Sequence, residues 1–169
     1  MRFVADVSLG GLAKWLRLCG FDTSCRSLAA DPRHLPAPAP DTVILTGRQA
    51  HRASGRDDVL LLLTATPEAQ LQEVLQRLHL SRRHLNPLSR CARCNVILTA
   101  LPRESVAGRV PDYILHHNRR FYACPRCRRV YWPGSHLAAI GHQMAQALQP
   151  KTGPAAPRPA PSQGDQHES

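Results

Sequence analysis

Apolar and polar positions along the first 81 residues alternate with two different periods. Residues 2–7 (Arg-Phe-Val-Ala-Asp-Val) read as a short strand with Asp6 near its end. Leu9, Leu12, Leu16 and Cys19 then recur near helical spacing behind Gly10 and Gly11, predicting a helix over 9–19 that packs on a sheet. Residues 22–26 suit a second strand. Pro32, Pro36, Pro38 and Pro40 lack N–H donors and fix φ, so they exclude a stable helix over 31–40. Thr-Val-Ile-Leu-Thr at 42–46 predicts a buried strand. The uninterrupted apolar run at 59–63 predicts another, of the kind parallel sheets use because both their faces are covered. Thr66 can cap the following helix, with Pro67 at its first position and Leu71, Val74, Leu75 and Leu78 on its apolar face. The order β-α-β-loop-β-β-α predicts a small three-layer α/β domain over 1–81 with a mainly parallel sheet.

After Leu80 the pattern changes. Cys91-Ala-Arg-Cys94 and Cys124-Pro-Arg-Cys127 stand 29 residues apart. Val130-Tyr-Trp132 reads as a strand and 136–148 as a closing helix, so a second unit is expected over 82–149. From Pro150 the chain is Pro, Ala, Gly, Ser and Gln without periodicity, which predicts a disordered tail over 150–169. Each CxxC puts two sulfurs on one tight turn, and two such turns make a tetrahedral Cys₄ site for structural zinc, with Cys91, Cys94, Cys124 and Cys127 as ligands. So small a unit buries too little apolar surface alone, so the metal would stabilise its fold directly. Four thiolates leave no open coordination position, which argues against a catalytic zinc. A redox CxxC needs no second copy. Cys19 falls on an apolar helix face and reads as packing, and His136 as a structural or substrate-facing group more than a ligand.

Charge changes the picture. The 169 residues are 43% hydrophobic, enough for a core, yet carry 22 basic against 12 acidic side chains, a formal net charge of +10. Residues 82–136 alone hold eleven arginines against Glu104 and Asp112, net +9. With four thiolates and one Zn²⁺ counted, that segment falls to about +7. A positive unit of this size implies a polyanionic partner, with nucleic acid the commonest. Solubility or a genome-wide arginine bias is the plainer alternative. Arg119, Arg120, Arg126, Arg128 and Arg129 beside Trp132 can hold phosphates and stack single-stranded bases. Tyr122, Tyr131 and Trp132 serve equally well as the small core of a zinc ribbon. No run approaches the roughly 18 apolar residues that span a bilayer. The opening residues lead into a strand pattern rather than an apolar signal core, so no membrane contact and a cytoplasmic, reducing location are expected.

Among the carboxylates, Asp6 and Asp31 follow strands and belong on the carboxyl edge of the sheet, where open parallel sheets form their sites. Asp41, Asp57 and Asp58 precede strands and belong at the opposite edge. Asp6 reads either as a ligand for a hard cation or as a cap for the 9–19 helix, and the residues by themselves favour the cap.

The opening run from Phe3-Val-Ala-Asp6-Val-Ser-Leu-Gly-Gly to Cys-Gly-Phe-Asp22 resembles the first motif of the Mut-seven C-terminal RNase family. Cys91-Ala-Arg-Cys94-Asn95 and Cys124-Pro-Arg-Cys127-Arg-Arg-Val-Tyr-Trp-Pro-Gly-Ser-His136 resemble its closing motif, and the likeness covers roughly residues 1–145. It implies a PIN-like nuclease domain with a C-terminal zinc ribbon, acting on RNA with catalytic Mg²⁺ or Mn²⁺. By that resemblance Asp6 corresponds to the first catalytic aspartate and Asp31 to a second. The departure is at Thr46-Gly47-Arg48-Gln49, where the family pattern is Thr-Arg-Asp: Arg48 stands at the expected metal-binding aspartate. Two expectations follow: a ribonuclease weakened by Arg48, or a catalytically inactive RNA-binding or ribosome-associated module. A protein-interaction adaptor is a remoter third.

Overall fold

The computed structural model describes residues 1–134 and, beyond them, 138, 140–142 and 145. The first part is α/β. Strands β1 (Arg2–Asp6), β2 (Asp22–Arg26), β3 (Thr42–Thr46) and β4 (Val59–Leu61) form one parallel sheet in the order β2-β1-β3-β4. Helices α1 (Gly10–Leu18) and α2 (Pro67–Arg77) pack on each other.

Strand alternation decides what each face buries. Phe3, Ala5 and Leu45 join Leu12, Leu16, Leu71, Val74 and Leu75 in the main core beneath the helices. Val4 and Ile44 point the other way and meet Leu28 and Leu35. The layers are thus a helix pair, the sheet, and a covering segment that the prolines keep almost free of helix beyond one 3₁₀ turn at Pro32–His34. The expected strand at 59–63 stops at Leu61. Partner strand β3 ends at Thr46, whose carbonyl takes a last hydrogen bond from Leu62 N at 2.8 Å, and Leu63 is exposed. Thr66 caps α2 as expected, its Oγ1 accepting from Ala69 N at 3.3 Å.

The expected Asp6 cap is not formed. A 3₁₀ turn (Val7–Leu9) intervenes, α1 begins at Gly10 rather than at residue 9, and neither helical start has a side-chain cap. The reason is the period of two: Asp6 shares its face with Val4, opposite the face that carries α1.

Helix α1 ends in a Schellman turn. Phe21 N donates to Leu16 O at 3.0 Å and Gly20 N to Arg17 O at 3.0 Å, with Gly20 at φ +97°. A Cβ on Gly20 would lie 2.2 Å from the carbonyl oxygen of Asn86. We predict that Gly20→Ala destabilises the protein by about 2–5 kcal/mol, the left-handed strain plus the overpacking of a fixed backbone neighbour. A denaturation midpoint unchanged from wild type would refute that close approach.

The second part holds three short antiparallel strands, β5 (Thr99–Leu101), β6 (Phe121–Ala123) and β7 (Val130–Tyr131), with helix α3 (Asp112–His117) between β5 and β6. Of these the hydrophobic pattern marked β7 only. Two apolar clusters support them. One gathers the four cysteines with Leu98, Tyr122 and Tyr131; the other gathers Val106, Val110 and Phe121 with Trp132. Phe121 is therefore core, while Tyr122, Tyr131 and Trp132 pack on these clusters half-buried.

This part is docked on the first. Asn95 Oδ1 accepts from Thr23 N at 3.1 Å while its Nδ2 donates to Asp22 Oδ1 at 2.7 Å. Arg17 donates to the carbonyls of Ala92 and Arg93, and Asn86 N to Cys19 O. Residues 138, 140–142 and 145 are helical and Ile140 is buried in the main core. The rest of the expected closing helix, His136 and the tail lie outside the described residues. Among the described residues no helix is long and apolar enough to cross a membrane.

Candidate functional site

Two sites take shape. The first is the cysteine quartet. Cys91, Cys94, Cys124 and Cys127 bring their sulfurs within 4.8 Å of one another. Cys91 Sγ and Cys127 Sγ are 3.6 Å apart, close to the ~3.8 Å edge of a tetrahedron with Zn–S bonds of about 2.3 Å. The two turns are built alike. Cys94 N donates to Cys91 Sγ and Cys127 N to Cys124 Sγ. Asn95 N donates to Cys91 O and Arg128 N to Cys124 O. Asn95 and Arg128 both take left-handed φ, 62° and 59°. The donor set fits one structural zinc held by these four residues.

Thiol acidities fit the same role. Burial pushes the Cys91 thiol up, but a 3.1 Å hydrogen bond from the Tyr131 hydroxyl and nearby backbone N–H groups outweigh it and bring it down to about 6. Cys94 is pushed up to about 12, by burial first and then by the neighbouring sulfurs. Four crowded sulfurs cannot all ionise unaided, and a divalent cation removes that conflict. Cys19, in contrast, is fully buried in the main core and is pushed up to about 12 by burial, the behaviour of an inert packing thiol.

The second site lies at the carboxyl ends of β1 and β3. The chain runs from β1 out to β2 and returns on the other side of β1 as β3, so these strand ends flank the topological switch point, the place where open parallel sheets bind ligands. Asp6 is there, fully buried. Arg48, two residues past β3, donates from Nε to Asp6 Oδ2 at 2.7 Å. Asp6 Oδ1 has no hydrogen-bond partner among the described residues. Burial pushes the pKa of Asp6 up, yet the hydrogen bond and charge of Arg48, helped by backbone N–H groups of Leu28 and Val7, hold it below its ordinary 3.8. Its folded value is the lower one, so the pair's contribution to stability is complete above 3.8 and is lost as pH falls through the folded value. The Arg48 side chain is 42% exposed, so solvent screens part of this attraction.

A short relay holds the Arg48 loop. His51 is 1% exposed, and its Nε2 lies 2.7 Å from Ala29 O. A carbonyl only accepts, so Nε2 carries a proton, and in the neutral ring Nδ1 is the acceptor. Thr46 Oγ1, 2.8 Å from Nδ1, therefore donates to it, and accepts in turn from Arg48 N at 3.1 Å. Sequence reasoning passed over Thr46 and His51. His51 lies in a polar stretch with no periodic signal, and its partner Ala29 comes from the covering segment.

Asp31 does not share Asp6's buried setting. It caps the 3₁₀ turn at Pro32–His34, accepting from Arg33 N at 2.9 Å, and both its oxygens accept from the Arg33 guanidinium. That hydrogen bonding holds its carboxyl below the ordinary range. Glu68 accepts from the Trp15 indole at 3.2 Å. Among the described residues no group of three or more carboxylate, imidazole or thiol donors gathers other than the cysteine quartet. A catalytic Mg²⁺ or Mn²⁺ needs several converging oxygens, so the residues at Asp6 do not fit one as they stand. Arg119, Arg120, Arg126, Arg128 and Arg129 are all exposed. Arg129 lines the same cleft as the half-buried Trp132, whereas Arg128 lies in a different depression beside Pro125.

A family model described as the Mut7-C RNAse domain matches residues 1–144. No curated protein and no solved structure matches the chain.

Proposed function

The chain belongs to the Mut7-C RNAse domain family, which supports a ribonuclease-like function, and from that premise we propose that it is an RNA-directed nuclease of PIN-like type whose cleavage is throttled by Arg48. The observation that carries this reading is the 2.7 Å bond from Arg48 to Asp6. The guanidinium sits on the carboxylate that a metal-dependent nuclease would offer to its cation, and its positive charge opposes a second cation there. No hydrolytic step is routed through Mg²⁺ or Mn²⁺, because the donors that would hold it are not assembled.

What the chain's own residues do is clearer. Arg48 is half exposed and makes its hydrogen bond to Asp6 through Nε, leaving its Nη groups to meet a phosphodiester. The arginines of the second part supply most of the protein's excess charge and attract an RNA backbone toward it over a distance. Zinc on the four cysteines gives that surface a fixed shape. Cysteines gathered as metal ligands rather than disulfides suit a reducing cytoplasm.

A second reading is a binding module without cleavage. It is favoured by one further observation: Asp31, the other expected catalytic carboxylate, is itself held by an arginine. Purified protein with end-labelled single-stranded RNA and Mn²⁺ separates the two. We expect salt-sensitive binding and slow cleavage that Asp6→Asn abolishes. Binding with no cleavage at any metal concentration would establish the module instead. No binding at low salt would overturn both.

A further inference from the structure

Where an RNA strand would lie is the next question, and one cleft suits it. A cleft of about 750 Å³ runs along the junction of α1 with the zinc-binding part, within the ~300–1,000 Å³ range of ligand sites. Five basic side chains line it: Lys14 and Arg17 from α1, Arg93 from the first cysteine turn, and Arg109 and Arg129 beyond. Among the described residues no acidic side chain lines it. Two of the five are committed elsewhere, Arg17 to the carbonyls of Thr23, Ala92 and Arg93, and Arg109 to that of Arg128. Lys14, Arg93 and Arg129 are exposed and have no side-chain partner among the described residues.

Three free cations converging on one concavity repel one another, and a polyanion lying between them removes that repulsion. The cleft also has an aromatic wall, because Trp132 lines it while packing against the Val106–Phe121 cluster. Gly10 is among the residues that line the cleft. Gly10 lies four residues past Asp6, so at about 3.6 Å per residue this part of the cleft is within roughly 14 Å of the Asp6 backbone. A strand gripped here leads toward the Asp6 edge of the sheet.

We infer that this cleft is the groove for single-stranded RNA, with Lys14, Arg93 and Arg129 on its phosphates and Trp132 under an unstacked base. The inference rests on the RNA reading above and adds the place and the strand state. A base must leave a helix to reach Trp132, which selects single strands over duplex.

The test is fluorescence anisotropy with a fluorescein-labelled 12-nucleotide single-stranded RNA and the full, zinc-loaded chain. Two triple variants remove equal charge and are compared at equal zinc content: Lys14→Ala/Arg93→Ala/Arg129→Ala in the cleft, and Arg119→Ala/Arg120→Ala/Arg126→Ala outside it. The cleft variant should lose about 30-fold or more in affinity, and its salt slope should fall by about 2, the share of three phosphate contacts on a single strand. The outer variant should lose less than about 5-fold. Equal losses, or a larger loss from the outer variant, overturn the cleft while leaving the RNA reading intact. Wild-type protein that does not bind RNA at low salt overturns the RNA reading and the cleft with it. Duplex RNA bound as tightly as the single strand overturns the strand assignment. In a Trp15→Phe background the RNA should quench the fluorescence of Trp132, and tight binding without quenching overturns the stacking.

Discussion

Stripping zinc with a strong chelator, or replacing Cys124 with serine, is expected to unfold the second part of the chain. The magnitude follows from how little else holds it. Its strands are three, three and two residues long, and its two apolar clusters are centred on three buried residues each. Strand pairs of this size are marginal without a metal or a larger core. Structural zinc, by comparison, contributes about 10–16 kcal/mol of apparent binding energy at neutral pH, and that energy is folding energy. One zinc per chain should be released on chelation. Trp132, packed against Val106 and Phe121 in this part, should lose its near-ultraviolet dichroism, and proteases should begin to cut within 82–134. Folded protein that returns no zinc on metal analysis, with that signal intact, would sink the assignment. Cobalt should substitute and give the absorption of a tetrahedral thiolate site.

Arg48→Asp should convert the Asp6 site from one that repels cations to one that binds them. A positive charge that now touches Asp6 would be replaced by a negative one. At about 4 Å and an effective dielectric near 20, each unit-charge interaction is worth about 4 kcal/mol; the 42% exposure of Arg48 reduces that substantially. Even a third of the reversal corresponds to a tenfold or greater change in divalent-cation affinity. We expect paramagnetic Mn²⁺ to bind at least tenfold more tightly to Arg48→Asp than to wild type, and Mn²⁺-dependent cleavage of single-stranded RNA to rise at least tenfold. The variant should also be less stable than wild type without metal, because two carboxylates then face each other at a buried position. Added Mn²⁺ should restore part of that stability. Mn²⁺ binding unchanged from wild type would show that Arg48 is not what keeps cations out.

The elements of the first part were legible because each carries a local signal strong enough to stand alone. Residues 22–26 and 42–46 are strands with those limits. Thr66 and Pro67 mark the start of α2 through a cap and a pre-set φ. The cysteine quartet was legible for a chemical reason: two CxxC turns have few other uses, and the sulfurs do converge. Strands β5 and β6 were not legible. Three residues span less than two full alternations, so no period of two can be read from them. Nor did the pattern say whether Trp132 and its tyrosine neighbours are core or binding surface. Aromatic residues beside arginines look the same in either case, and the packing against Val106 and Phe121 is non-local.

The Asp6 edge of the sheet divides along the same line. The chain by itself determined that an arginine replaces an expected aspartate after β3, and that a segment with net charge +9 carries the four cysteines. The first conclusion comes from the family resemblance of the opening and closing motifs, the second from residue types and spacing alone. Only the tertiary structure decided that Arg48 reaches back across 42 residues to Asp6, that a buried His51 and Thr46 hold its loop, and that Asp31 spends its oxygens on Arg33. The physical reason is that charge identity is a property of the residue, whereas the partner of a charge depends on which strand ends the sheet order makes adjacent.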